Sequence, residues 1–122
     1  MSAETALVTA LTGAAGVTAL VADRIFPDDA TTAEDEQTPL PFVMYQRAGT
    51  TFQNAVSGIV AIERVQMGLG CYAATRAAAE SLANAVHAAL VAADFTAQGR
   101  VSDFDEIAGA YTCALLYEYL TT

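Results

Sequence analysis

The chain of 122 residues is 54% hydrophobic and carries fourteen acidic residues against five arginines, which gives a net charge of −9. This length suits one domain of roughly 100–150 residues, and we expect a single domain over residues 1–122. The charge disfavours direct binding of nucleic acid, which needs a basic surface. The lack of an apolar run of ~18 residues and of a basic signal-peptide region predicts a cytoplasmic chain with no membrane span.

Two short helical segments are predicted at the N-terminus. Ser2 is a candidate N-cap, and an apolar stripe of helical spacing runs from residue 7 to residue 14. A second turn or helix is expected over residues 17–21. Residues 24–26 are typical of a brief strand that Pro27 stops.

Residues 28–38 form a polar segment with five acidic side chains. We expect a solvated loop there. A calcium site is the alternative, but the segment lacks the spaced Asp and Asn residues, the central Gly and the closing Glu of such sites.

A hairpin is predicted over residues 40–72. Aromatic and β-branched residues from Leu40 to Phe52 favour a strand. The run from Ile59 to Tyr72 alternates apolar and polar residues, as a strand buried on one face does. Residues 53–58 include turn-forming residues but are longer than a tight turn, so we expect them to protrude.

A long amphipathic helix is predicted from Ala73 to Ala93, directly after the hairpin. Residues 94–99 are predicted to form a loop, and residues 100–104 a short strand. The last strand, from Ala110 to Leu120, has apolar residues on both faces, which predicts burial on both, with another subunit as a candidate cover for the second. The core between sheet and long helix is expected to contain Val65, Met67, Leu69, Leu82, Val86 and Leu90.

These elements predict an α+β fold. A sheet and an amphipathic helix each have an apolar face to bury, and packing one on the other makes two layers. The expected arrangement is a mixed, mostly antiparallel β-sheet against an N-terminal helix and one long central helix, in the order α-β-β-β-α-β-β.

One motif has the spacing of a cofactor site. Gly68 to Ala73 matches the pattern G-x-G-x-x-A, in which glycines let the backbone approach a pyrophosphate at a helix N-terminus. Such a site also needs a second parallel strand ending in an acid about 20 residues on, whereas Asp94 follows the predicted helix directly. We favour glycines that relieve crowding or allow a bend, and we expect no cofactor.

The other candidates for chemistry favour structural roles. His87, the only histidine, lies on the helix flank with no nucleophile motif nearby. Cys71 and Cys113 fall in predicted strands, where core thiols are more common than a disulfide in a reducing compartment. One His and two separated Cys do not make a four-ligand zinc site. We therefore expect no catalytic residue, no metal site and no enzyme activity.

The chain resembles the tail completion, or tail terminator, proteins of long-tailed phages and gene transfer agents over nearly its whole length. The resemblance lies in the ordered motifs DRIFP (23–27), LPFVMYQR (40–47) and RVQM (64–67), in the helix that follows, and in the closing strand 111–120. It implies a structural virion protein, assembled in the host cytoplasm, that forms a ring of six subunits at the head-proximal end of the tail tube. The ring would stop tube growth, contact the major tail tube protein and the head-tail connector protein, and let DNA pass without specific binding.

Interfaces of such a ring are expected in the two polar connections and in the last strand. The predicted interface residues are Asp28, Asp29, Glu34, Asp35, Glu36, Phe52, Gln53, Asn54, Leu116, Tyr117 and Tyr119. The alternative, based on charge and on the glycine motif, is a small acidic ligand-binding or adaptor domain.

Overall fold

The computed structural model describes residues 2–22, 24–27, 40–54, 61–106 and 109–121. The helices are α1 (Ala3–Thr12), α2 (Ala15–Val21) and α3 (Arg76–Ala92), and the strands are β1 (Ile25–Pro27), β2 (Phe42–Asn54), β3 (Ala61–Ala73), β4 (Thr96–Asp105) and β5 (Ala110–Thr121).

The five strands form one mixed sheet in the order β1-β2-β3-β5-β4. β1 runs parallel to β2, and the other neighbouring pairs are antiparallel. This arrangement confirms the predicted α+β fold. The second N-terminal segment is a separate helix, α2, capped by no side chain.

β2 and β3 form the predicted hairpin. Phe42 lies opposite Tyr72 at one end of the ladder, and the register shifts between Arg47 and Gly49. This β-bulge leaves Ala48 outside the ladder and reverses the alternation of faces along β2, so that Arg47 lies opposite Met67 on the helix side and Gly49 lies opposite Gln66 on the other side. The connection was expected over residues 53–58, but Gln53 and Asn54 belong to β2 and pair with Ile62 and Ala61, so its predicted start was wrong. Residues 55–60 lie outside the described residues.

The three helices cover one face of the sheet, and the core lies between the two layers. α3 lies on β3 and β5, and α1 and α2 pack against α3. The residues expected in the core are confirmed, since each is at most 3% exposed: Val65, Met67, Leu69, Leu82, Val86 and Leu90. Each such side chain contributes about 1.5–3 kcal/mol by burial, so this contact between layers is a main source of stability.

α3 begins three residues later than predicted. β3 continues through Ala73, which the ladder holds opposite Tyr111 of β5. Thr75 then caps the helix, with its Oγ1 accepting a hydrogen bond from the Ala78 backbone N–H at 3.1 Å. The predicted start at Ala73 was wrong because strand pairing prevailed over the helical propensity of alanine.

β4 is longer than the predicted short strand. Asp94 takes a left-handed conformation with φ of 70°, and Phe95 then enters the core, 3% exposed, with its ring 4.5 Å from that of Tyr119. Thr96 already pairs with Glu118. The predicted loop over residues 94–99 was therefore wrong from Thr96 onward. The packing of Phe95 in the core directs the chain into the sheet at the next residue.

An ion pair joins the N-terminal helix to the sheet. Arg47 donates from Nη2 to Oε1 of Glu4 at 2.7 Å and from Nε to Oε2 at 2.9 Å. A second carboxylate, that of Glu63, lies 3.2 Å from Nη1. The hydrogen bond from Arg47 holds the pKa of Glu4 below its ordinary value, because it favours the ionised carboxylate.

Candidate functional site

The face of the sheet away from the helices is the main candidate site. Residues directly opposite each other on neighbouring strands share a face, so the register arranges this face in rows. One row crosses all five strands and consists of Phe26, Met44, Gly70, Ala114 and Val101. The next row consists of Gln46, Gly68, Leu116 and Gly99. We call these two rows the apolar band.

The apolar band contains a shallow trough of about 470 Å³. Small residues of the central strands, Gly68, Gly70 and Ala114, form its floor, and larger side chains such as Met44 and Val101 rise beside them. Val101 is 65% exposed. A contiguous exposed apolar patch on a folded protein commonly marks a contact surface.

Polar residues border the apolar band at one end. Arg64 lies 3.6 Å from the Glu118 carboxylate. Gln98 donates to Glu118 at 3.0 Å and accepts from Gln66 at 3.4 Å. This end of the face thus carries one positive and one negative charge that offset each other.

Aromatic residues border the apolar band at the other end. The rings of Phe42 and Tyr72 stack with centroids 4.6 Å apart, and Phe26 lies 6.3 Å from Phe42. The row of Phe42 and Tyr72 continues through Thr112 to Asp103, which is exposed and adds one negative charge at this end.

The last strand is covered on one face only. Cys113, Leu115 and Tyr117 are buried under the helices, whereas Ala114 and Leu120 on the other face are exposed. The prediction of burial is confirmed for the helix side, and cover of the other face by another subunit stays a prediction.

The two glycines of the apparent cofactor motif lie inside β3. Three further residues of the strand, 71–73, and the pair Ala74–Thr75 separate Gly70 from the start of α3 at Arg76, so the glycines do not line a helix N-terminus. A Cβ on Gly70 would lie 2.8 Å from Cε1 of Tyr72. The expected role of relieving crowding is thus found at Gly70.

His87 makes a structural contact. Its Nδ1 lies 2.7 Å from the hydroxyl of Tyr117, whose ring is buried in the core. Burial raises the pKa of Tyr117 to about 12, so the hydroxyl stays neutral. A second hollow of about 260 Å³ adjoins this pair. Among the hydrogen bonds of the described residues, none joins His87 to a serine or a cysteine.

Among the described residues, no group of three His, Cys, Asp or Glu side chains is placed to hold a metal ion. In the same part of the chain, no single helix is long and apolar enough to cross a membrane; α1 and α2 have that length and composition only together, as a pair bent by 82°. Cys71 and Cys113 are free thiols in the core, as expected.

The predicted interface residues are dispersed in the structure. Leu116 lies in the apolar band and is half-buried. Tyr119 packs on Phe95 under the helices, and Tyr117 is 1% exposed, so it contributes to the core rather than to an accessible surface. The side chains of residues 52–54, and all of residues 28–36, lie outside the described residues.

Sequence reasoning missed the residues that share the band with Leu116. Met44, Gly70, Ala114 and Val101 come from four strands. The available signal was weak: Met44 and Val101 are apolar residues on the strand parity opposite the buried one. Only the strand order brings them into one row.

Comparisons with known proteins give the chain a family and a shared fold. The family described as Tail completion protein gp17 matches residues 5–109. A chain from a structure described as a virion of a native gene transfer agent particle is 19% identical, with a TM-score of 0.75 over 98% of this chain and 93% of that chain. No curated protein sequence matches.

Proposed function

Because the chain belongs to the Tail completion protein gp17 family, we propose that it caps the head-proximal end of a phage-type tail tube. Family membership makes it a structural component of a virion tail. The proposed role is more specific: the protein ends tube polymerisation and forms the surface to which the head is joined. It acts by contact and not by catalysis.

The observation that carries the proposal is the uncovered apolar band. A tube cap must make large contacts with copies of itself, because a closed ring repeats one heterologous interface, in which one patch meets a different patch on the neighbour. The exposed row through Met44, Ala114 and Val101 supplies an apolar patch for this purpose. We therefore propose that a ring, of six copies by analogy with the family, buries this band between neighbours.

The charge distribution supports the same interface. The chain carries a net charge of −9, so two copies repel each other wherever acidic surfaces approach. The two rows of the apolar band contain no acidic residue, so contact through the band adds no repulsion of its own.

The arginines support a channel that passes DNA without holding it. Each has a partner in its own chain: Arg24 the Pro41 carbonyl, Arg47 the carboxylates of Glu4 and Glu63, Arg64 Glu118, Arg76 the Tyr111 ring and Arg100 the Asn84 amide. Phosphate binding requires clustered cations that can release counterions. The five arginines are dispersed and each interacts with a group of its own chain. The described residues therefore present no basic cluster to passing DNA.

The proposed partners are the tail tube below the ring and the head-tail connector above it. The acidic segment 28–38 and the connection 53–58 remain the predicted contact regions for them. The alternative of a small-ligand domain gains little support, because the trough is lined mainly by apolar groups and glycine backbone, and a specific ligand site needs convergent polar groups as well.

A matched pair of substitutions tests the interface. Val101→Lys places a cation in the apolar band, and Val91→Lys places the same cation on the outer side of α3, where Val91 is 49% exposed. An ammonium buried without a partner in an apolar contact costs several kcal/mol, and each 1.4 kcal/mol weakens association about tenfold. We expect Val101→Lys to fold as a monomer but to lose ring formation, and Val91→Lys to keep it.

The readout is complementation of particles that lack the native gene. Electron microscopy should show overlong tails and unjoined heads with Val101→Lys and normal particles with Val91→Lys. Normal particles with both variants would exclude the apolar band as the ring interface. Normal tails and joints from particles with no copy of the protein would overturn the capping function itself.

A further inference from the structure

The two cysteines face each other across the centre of the sheet. Cys71 of β3 lies directly opposite Cys113 of β5 in the antiparallel ladder. Both thiols are free, and both are buried on the helix-covered face. We propose that Cys71 and Cys113 are a redox-active pair, which a small-molecule disulfide oxidises to an intramolecular disulfide joining the two central strands.

The ladder geometry brings the pair within bridging range. Directly opposed residues of antiparallel strands have Cα atoms about 4.5–5.5 Å apart, and disulfides span Cα separations of about 4.4–6.8 Å. The Cβ atoms of such residues start about 4.5–5.5 Å apart and must approach to about 3.8 Å. A local adjustment of roughly 1 Å between the strands is sufficient.

Burial makes the pair slow to react in the native state. The thiolate is the form that attacks a disulfide. Burial, with a smaller effect from Cys113, raises the pKa of Cys71 to about 12, so few molecules carry the thiolate at neutral pH. Oxidation therefore proceeds through transient opening of the fold.

The edge of the sheet provides a route for that opening. Cys113 lies opposite Ser102 of β4, whose hydroxyl is 3.8 Å from Sγ of Cys113. β4 is the outermost strand on this side, and Ser102 is exposed. Release of this one strand removes the neighbouring strand whose Ser102 contacts Cys113 and leaves the β2–β3 hairpin paired.

The reaction balances as two thiol–disulfide exchanges. The Cys113 thiolate attacks one sulfur of the small-molecule disulfide, which forms a mixed disulfide and releases the first small thiolate. The Cys71 thiolate then attacks the Cys113 sulfur of that mixed disulfide, which forms the Cys71–Cys113 bond and releases the second small thiolate. The two small thiolates take up the two protons that the cysteines lose, and the protein gives up two electrons.

The disulfide would cross-link the two ends of the segment that contains the long helix α3. It closes a loop that contains α3 and β4, and cross-links of long loops restrict the unfolded chain most. A virion leaves the reducing interior of a cell for an oxidising medium, where disulfides persist. The bond can therefore stiffen the protein where reductants no longer keep the two thiols apart.

The test uses the purified full-length chain. One sample is unfolded in denaturant and refolded with oxidised glutathione. A second sample stays folded and is incubated with oxidised glutathione at alkaline pH. We expect the intact mass to fall by two hydrogen atoms, no free thiol to remain on thiol titration in denaturant, and the product to be monomeric on non-reducing electrophoresis. Its circular dichroism should match that of the reduced chain, and its Tm should rise by several degrees.

A control variant has two buried thiols that do not lie directly opposite each other in the ladder. In Cys113→Ala with Leu115→Cys, the new thiol lies opposite Leu69 and diagonal to Cys71, and diagonal neighbours are about 7–8 Å apart. It should give glutathione adducts or linked dimers in place of an internal bond, as should the single variant Cys113→Ser. Mixed disulfides or dimers from the native sequence, or an internal bond found only in a chain without native circular dichroism, would overturn the proposal.

Discussion

Gly68 and Gly70 lie on the same face of β3 but differ in what an added methyl group meets. At Gly68 a Cβ would lie 3.7 Å from the Gln46 side chain, an ordinary contact. At Gly70 it would lie 2.8 Å from the Tyr72 ring, which stacks on Phe42. The two glycines of the motif therefore have different structural roles.

This difference predicts unequal effects of alanine at the two positions. Gly68→Ala should raise stability by about 0.5–1 kcal/mol, because glycine in a strand interior costs conformational entropy. Gly70→Ala has the same entropic benefit but must displace the Tyr72 ring and weaken a stack worth about 0.5–1.5 kcal/mol. We expect Gly70→Ala to be the less stable of the two by about 1 kcal/mol in urea denaturation. Equal stability would show that the Tyr72 ring moves at no cost.

At the scale of elements, the contact of α1 with the sheet depends partly on the two-point hydrogen bond between Glu4 and Arg47. The two side chains are 38% and 35% exposed, so solvent weakens the pair, and we assign it the roughly 0.2–1 kcal/mol of a surface ion pair. The pair joins α1 to β2 at Arg47, the residue that immediately precedes the bulge.

The pair predicts a pH-dependent effect of Glu4→Gln. The pKa of Glu4 lies below its ordinary value of 4.5 in the folded chain, so its contribution is fully present above about pH 4.5 and is lost as the pH falls through the lower, folded value. Glu4→Gln should therefore be destabilised by up to about 1 kcal/mol at neutral pH, and its difference from the native chain should shrink under acid conditions.

Glu80→Gln is the matched control for this measurement. Glu80 is exposed on α3, and its carboxylate takes part in no ion pair found among the described residues. Urea denaturation over a pH series should show little difference from the native chain for this control. A Glu4→Gln difference that stayed constant into acid would mean that the Glu4 charge is not the source of the stabilisation.

At the scale of the whole molecule, charge and apolar surface are separated. The helix-covered core and the apolar band account for much of the apolar content, whereas five of the fourteen acids fall in residues 28–38. Such a concentration of like charge costs self-repulsion. We expect its function to lie in assembly, at the connector or at the channel.

Neutralising this segment tests that expectation. Replacing these five acids (Asp28, Asp29, Glu34, Asp35 and Glu36) with Asn and Gln removes five negative charges, so the net charge changes from −9 to −4. Surface substitutions of this kind usually change stability by under about 0.5 kcal/mol, so Tm should be nearly unchanged while the yield of DNA-delivering particles falls.

The control neutralises three exposed acids elsewhere. Changing Glu80, Asp94 and Glu106 to amides brings the net charge from −9 to −6 but leaves the segment intact, and this variant should retain normal particle yield. Full rescue by the segment variant in the same complementation assay would show that the segment serves solubility alone.

Local patterns in the sequence determined the elements and their faces. The alternation from Val65 to Cys71 assigned the buried side of β3, and the stripe through Leu82, Val86 and Leu90 assigned that of α3, because periodicity depends only on backbone geometry. Boundaries were less certain: Thr96 was placed in a loop because the anchoring contact of Phe95 is with Tyr119, far along the chain.

The tertiary structure alone decided which residues became neighbours. β5 enters the sheet between β3 and β4, and this insertion places Cys113 opposite Cys71 and aligns Ala114 with Gly70 and Val101. Arg47 meets Glu4 across 43 residues of chain. Periodicity gives the face on which a side chain lies, but strand order and register are set by the energy of the whole sheet, so the apolar band and the thiol pair became visible only in the folded molecule.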